Sequence, residues 1–190
     1  MDLLMGILTA FGLSASAGLN AYIPLLVVGV TAHYTDWITL NSPWDLLANP
    51  WVLIVLGILV IIEMLADKIP AVNHLNDAIQ TFVRPTAGAI AFAASAKVIS
   101  DVHPVVALIC GLLVAGSVHV VKAAAIRPVV TATTGGAGNV PVSIAEDIFS
   151  TVMSLLAILV PIMVAVILIV TITLFIQWRQ RRREKVDQRI

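Results

Sequence analysis

Apolar residues run along this chain in five stretches: Leu3 to Ala32, Trp51 to Ala66, Pro85 to Ser100, Pro104 to Ile126 and Val142 to Trp178. A helix that crosses a bilayer needs roughly 20 apolar residues. Only Pro104 to Ile126 fits one span. The first stretch is too long and is broken by Ser14 to Asn20 and by Pro24. The second and third are short. The last is far too long and contains Pro161. The pattern predicts an all-α, polytopic membrane bundle of five to six segments, some broken or kinked. Residues 1–176 form one membrane-embedded domain and 177–190 a tail.

Between the short stretches the period changes. In Ala71 to Arg84, Val72, Leu75, Ile79, Phe82 and Val83 recur at helical spacing, while Asn73, Asp77, Gln80 and Arg84 mark the opposite face. This amphipathic helix either lies flat in the interface or continues past Pro85 as one long helix from Ala71 to Ser100. The second option is favoured because it removes a span that is too short. Small residues at four-residue spacing (Gly6, Ala10, Ser14, Gly18, and Gly111, Ala115, His119, Ala123) predict close helix contacts. Gly12, Ala21 and Pro24 recur at identical spacing as Gly116, Ala125 and Pro128. Asn76-Asp77 with Thr81 recurs as Glu146-Asp147 with Thr151. These echoes suggest halves 1–100 and 104–176. An odd number of spans between them would make the repeat inverted. Chance similarity among Ala- and Gly-rich helices is the competing explanation.

Charge sharpens this reading. The last fourteen residues hold six Lys/Arg (Arg179, Arg181, Arg182, Arg183, Lys185, Arg189) against two acids, a balance of +4. The preceding 176 hold five against nine, a balance of −4. Basic residues after Trp178 place the tail in the cytoplasm. Lys68 and Arg127 do not fit the same rule if there are five simple crossings, which points to a site for them rather than a topological role. Trp37, Trp44 and Trp51 suit a loop along the headgroup layer. Ala15-Ser16-Ala17 resembles a signal cleavage site, but Asp2 stands where a basic start belongs and apolar sequence resumes at once. The lone Cys110 reads as a small core residue.

Ionisable groups inside apolar helices are costly and mark functional sites. Glu63 and Asp67 share a helix face; two such carboxylates in low dielectric resist double ionisation and suit proton or cation coupling. Asp67-Lys68 reads mostly as a helix boundary, and Glu63 as the deeper group. Ser143 and Glu146 read as a capping box, with Asp147, Ser150 and Ser154 continuing a polar stripe into the helix. Lys122 alone reads as snorkelling, while the deeper His119 either relays protons or bonds a backbone carbonyl. Arg84 and Arg127 each precede a proline and suit a carboxylate or phosphate. Asn20 lies where a helix breaks. Lys97 and Asp101 read as a mutually neutralising pair. No phosphate-binding glycine loop, H-E-x-x-H or nucleophile constellation is present, so an enzyme ranks last, with no cofactor and no metal site expected.

The segments Ser16 to Pro24, Ala66 to His74, Arg84-Pro85 and Ser143 to Asp147 resemble a bacterial integral-membrane family, the domain of unknown function 4126, over about Gly12 to Val170. The resemblance supports Asn20, Asp67, Lys68, Asp77, Arg84, Glu146 and Asp147 as site residues and implies no chemistry. The expectation is a small inner-membrane secondary transporter, coupled to protons or cations, for an anionic small molecule or lipid phosphate headgroup. It would contact membrane lipids, with a homodimer conceivable and no nucleic-acid partner. The alternative is a non-catalytic scaffold that docks a protein or anionic lipid through the amphipathic helix or the basic tail.

Overall fold

The computed structural model describes residues 3–96 and 102–187, and every regular element among them is helical. The order is α1 (Leu3–Ala17), α2 (Tyr22–Tyr34), a 3-10 turn (Trp44–Ala48), α3 (Pro50–Ala66), α4 (Pro70–Ala96), α5 (Pro104–Val121), a π turn (Lys122–Ile126), α6 (Arg127–Thr134), α7 (Asn139–Leu159) and α8 (Pro161–Asp187). Pro104–Thr134 and Asn139–Leu159 are long and apolar enough to cross a membrane; four further apolar helices are shorter. Lys97, Asp101 and Arg189 lie outside the described residues, as do the side chains of the other basic tail residues.

Local chemistry sets the boundaries. α3 and α5 each open with proline at the first position, where no N–H is needed. Asn49 caps α3 by accepting from Trp51 N at 2.9 Å. Gly135, at φ 62°, ends α6 in the left-handed region that glycine tolerates. Val160 leaves helical geometry because Pro161 follows it, which divides the overlong last stretch into α7 and α8. α4 runs unbroken through Pro85, so the amphipathic segment and the third apolar stretch are one helix.

Direction follows from the contacts. Thr9 Oγ1 donates to Ala157 O, and Ser16 Oγ to Ser150 O, so α1 and α7 are antiparallel. Ser14 Oγ donates to Gly111 O, and Gly18 lies against Ala115 and Val118, so α1 and α5 are parallel. Phe11 meets Phe92, and Gly88 lies beside Ser14, so α4 opposes α1. Ala21 meets Glu63 while Gly29 meets Leu53, so α2 opposes α3. Glu63 faces Arg84 and Asp67 faces Asn76, so α3 opposes α4 and runs with α1. The chain therefore reverses at Gly18 to Ala21, and the first apolar stretch is a helical hairpin rather than one span. That reversal also bears on the possible repeat, whose copies are not inverted. The matching segments α1 and α5 point the same way, as do α4 and α7.

Apolar side chains lie both inside the bundle and on its surface. Leu13, Ala17, Leu25, Val28, Ala91 and Ala115 belong to a core of mostly small side chains. Ile54, Ile58, Ile61 and Leu65 on α3, Leu75, Ile79 and Phe82 on α4, and Ile169 to Ile176 on α8 face outward. The amphipathic face of α4 is turned the other way, with Gln80 and Arg84 buried. Hydroxyls join α1 to α7: Ser16 Oγ lies 2.8 Å from Ser150 Oγ and 2.7 Å from Ser154 Oγ. Between helices in an apolar medium such bonds are worth about 0.6 kcal/mol each and rarely above 1.7. Ser16→Ala is expected to cost about 1 kcal/mol in a denaturant titration in mixed micelles. A loss near zero would mean that these hydroxyls do not hold α1 to α7.

Candidate functional site

The break between α1 and α2 exposes backbone groups of both polarities, and the site is built on them. Asn20 Oδ1 accepts from Tyr22 N at 3.2 Å and Ile23 N at 3.1 Å, which caps α2. Ala21 N donates to Glu63 Oε2 at 3.0 Å. Pro24 has no N–H to satisfy, so the first-turn donors of α2 are accounted for. The positive end of α2 thus meets a carboxylate. On the other side of the break, Leu19 O accepts from Lys122 Nζ at 3.0 Å.

Glu63 and Asp67 project from the end of α3 toward α4 and the π turn. Arg84, fully buried, donates to Glu63 Oε1 from Nε at 3.1 Å and from Nη2 at 3.0 Å. Asp67 is the hub. Its Oδ2 lies 2.8 Å from Arg127 Nη2, 3.4 Å from Arg84 Nη2 and 3.5 Å from Lys122 Nζ. Its Oδ1 accepts from Asn76 Nδ2 at 2.7 Å. Asp67 does stand at the end of α3, but with 4% of its surface exposed it faces the bundle and not water. Lys122, at 1%, does not snorkel; it binds Glu146 Oε2 at 2.8 Å, because three oxygen partners converge on its ammonium inside the bundle.

The π turn explains how two cations of one helix serve the same acids. Residues five apart on a straight α-helix point about 140° apart at 3.6 residues per turn. Here the Arg127 N–H bonds Lys122 O, five residues back, and the wider turn brings both side chains to one side. Arg127 Nη1 also donates to both oxygens of Asp77, at 3.0 and 2.9 Å, and Nη2 lies 3.7 Å from Glu146 Oε2.

His119 is held by Arg84 Nη1, 3.2 Å from its Nδ1. A guanidinium only donates, so Nδ1 accepts and the proton sits on Nε2. Nε2 then donates to Thr81 Oγ1 at 3.2 Å, and Thr81 donates to Asp77 O at 2.8 Å. In this arrangement His119 is a neutral spacer between Arg84 and Thr81, not a backbone-bonded core histidine.

α7 supplies Glu146 and Asp147. The helix begins at Asn139, so Ser143 and Glu146 lie within it and form no capping box. Ser143 Oγ and Glu146 Oε1 are buried with no hydrogen-bond partner among the described residues, as is Gln80 Oε1. Asp147 accepts from Asn20 Nδ2 at 3.0 Å and pairs with Lys68 Nζ at 3.2 Å. Lys68 also donates to Met64 O at 2.9 Å.

The eleven residues proposed from sequence as a site lie together in two adjoining clusters: Glu63, Asp67, Asp77, Arg84, His119, Lys122, Arg127 and Glu146 share ion pairs and hydrogen bonds, and Asn20, Lys68 and Asp147 form a second group, its Lys68 and Asp147 next in the chain to Asp67 and Glu146. Together five carboxylates stand among four Lys and Arg side chains, a formal balance of −1. Asn76, Thr81 and the Leu19 carbonyl complete the larger cluster. Asn76 adjoins Asp77 and precedes Gln80 and Arg84 by four and eight residues, a helical stripe that could have flagged it.

The network opens on one side into a cavity of about 820 Å³. Asp67, Lys68, Asp77 and Arg127 form its charged wall, and Thr131, Asn139, Gly135 and Gly136 line the rest with apolar neighbours. Lys68 and Asp77 are the least buried members, with side chains 25% and 23% exposed. Among the described residues no group of three His, Cys, Asp or Glu side chains is placed to hold a metal ion.

No curated protein matches the chain. No solved structure matches it either. The family model described as a domain of unknown function, DUF4126, matches residues 7–181, and the chain belongs to that family.

Proposed function

We propose that this chain is a multi-pass protein of the cell inner membrane, with its basic C-terminus in the cytoplasm, that works as a small secondary transporter. Its cargo is an anionic small molecule or a lipid phosphate headgroup, and protons or cations provide the coupling. The observation that carries this reading is the convergence of nine charged side chains in two adjoining, largely buried clusters beside a cavity, at a break between helices. Outward-facing Ile, Leu and Phe on α3, α4 and α8 suit lipid, where a soluble protein would expose large apolar patches to water. Broken helices that offer backbone charge to a substrate or ion are a recurrent transporter device.

The chemistry follows from partner exchange. An arriving anion competes for Arg127 and Lys68, which releases Asp77 or Asp147. A freed carboxylate in low dielectric favours a proton. Binding of the anion and uptake of the proton thus become one event. The network's own balance of −1, with Glu146 Oε1 unpartnered, leaves room for that proton.

Purified protein in liposomes under an imposed pH gradient tests this, with small phosphates and carboxylates offered in turn. The expected result is anion-dependent proton flux above protein-free liposomes, abolished when Asp77→Asn and Arg84→Gln are combined. Undiminished flux in the double variant overturns the assignment. A folded wild type without flux favours the scaffold reading, in which mutual charge pairing serves only to hold the helices.

A further inference from the structure

The wall of the cavity carries both signs of charge. Asp67 and Asp77 stand beside Lys68 and Arg127 on the same surface. A simple anion that approaches the two cations also meets two carboxylates, and a simple cation meets the reverse. Either would bring net charge into a low-dielectric site, which is costly unless it is paired.

We propose that the cavity binds a zwitterion: a ligand that joins a phosphate or carboxylate to a primary ammonium. Resting on the transporter reading above, this names its substrate class. The outermost pairs are poised for exchange. Arg127 Nη1 holds Asp77 through two bonds, and Lys68 holds Asp147 through one. The ligand's anionic group takes donors from Arg127 and Lys68, and its ammonium takes Asp77. Arg127 and Lys68 exchange a carboxylate for the ligand's anionic group, Asp77 exchanges Arg127 for the ammonium, and Asp147 keeps Asn20 Nδ2; the ligand's two charges offset each other, so less net charge enters than with a simple anion. Deeper contacts, Arg127 to Asp67 at 2.8 Å and Arg84 to Glu63, stay closed and keep the guanidinium groups in place. The cavity volume falls within the range of about 300–1,000 Å³ usual for small-molecule sites.

The chemistry is shared by free zwitterions and by a lipid headgroup, and the experiment separates them. Full-length protein in nanodiscs of phosphatidylglycerol is titrated calorimetrically with phosphoethanolamine and β-alanine, and with their amine-free counterparts glycerol phosphate and propionate. At least one zwitterion is expected to bind about tenfold or more tightly than its counterpart, the worth of one added charge-assisted bond. Asp77→Asn removes that advantage, because the ammonium loses its carboxylate while the amine-free counterpart, with no carboxylate to displace from Arg127, binds at least as tightly as to wild type; Asp77 is a rim group, so the fold is retained. If the source is a lipid, neither free zwitterion binds. Nanodiscs containing phosphatidylethanolamine then raise the melting temperature of wild type but not of Asp77→Asn. Equal affinity for zwitterion and counterpart overturns the zwitterion proposal and leaves the transporter reading intact. Selective zwitterion binding with no flux in liposomes overturns the transporter reading and leaves this one. No binding and no lipid effect overturns the proposal outright.

Discussion

Replacing Asp67 with alanine is expected to destabilise the folded protein by about 3–5 kcal/mol, the usual cost of removing one partner from a buried ion pair. Arg84, Lys122 and Arg127 all point at Asp67 Oδ2. Each cation keeps one other acid: Glu63, Glu146 and Asp77 respectively. What is lost is the anion between them, so three positive heads are left around a hole with little water to screen them. Asn76 Nδ2 loses its acceptor as well. Denaturant titration in mixed micelles reads the effect. A loss below about 1 kcal/mol, typical of an exposed pair, would mean that water reaches the network and that burial does not govern it.

Gly111→Ala is expected to cost about 1–3 kcal/mol, although alanine is normally the better helix former. A Cβ at Gly111 would lie 2.4 Å from Gly88 O, 2.6 Å from Phe92 Cβ and 2.7 Å from Ala89 Cα. These are backbone or near-backbone atoms and cannot rotate away, so α4 and α5 must separate. The same substitution at Gly57, where nothing lies within 4 Å of the added atom, is expected to be neutral or to gain up to about 1 kcal/mol from helix propensity alone. Opposite signs at the two positions would show that contact between α4 and α5 sets the cost. Equal signs would reject it. Because Arg84 and His119 sit on the same two helices, separation at Gly111 should also loosen the site.

Much of the site was legible because charge in an apolar stretch is conspicuous. Glu63, Asp77, Arg84, Arg127 and Asp147 could be picked on that ground alone. Roles were less legible. Asp67 and Lys122 each sit where a helix or an apolar stretch ends in sequence, and such a residue can face water or the bundle equally well. Only the fold of α4 and the π turn around them decides. The serine at 143 with an acid three residues on has the form of a cap, yet the helix starts four residues earlier. Direction was misread for a similar reason. The break at Ser14 to Asn20 shows in the sequence, but the reversal there is set by the backbone bonds of Gly18 to Asn20 and by the contact of Ala21 N with Glu63. Mean apolarity is blind to that difference. The cavity wall from Thr131 to Asn139 carried no signal, since Thr, Gly and Asn there look like an ordinary turn.

A lysine and an arginine four apart on an unbroken α-helix point in nearly the same two directions as Lys122 and Arg127 across their π turn. When relatives are aligned, a one-residue gap among Ala123, Ala124 and Ala125 therefore need not mark a lost cation. It can mark the same pair spelled without the surplus residue, and family membership judged by strict spacing would discard chains that hold an identical charge arrangement.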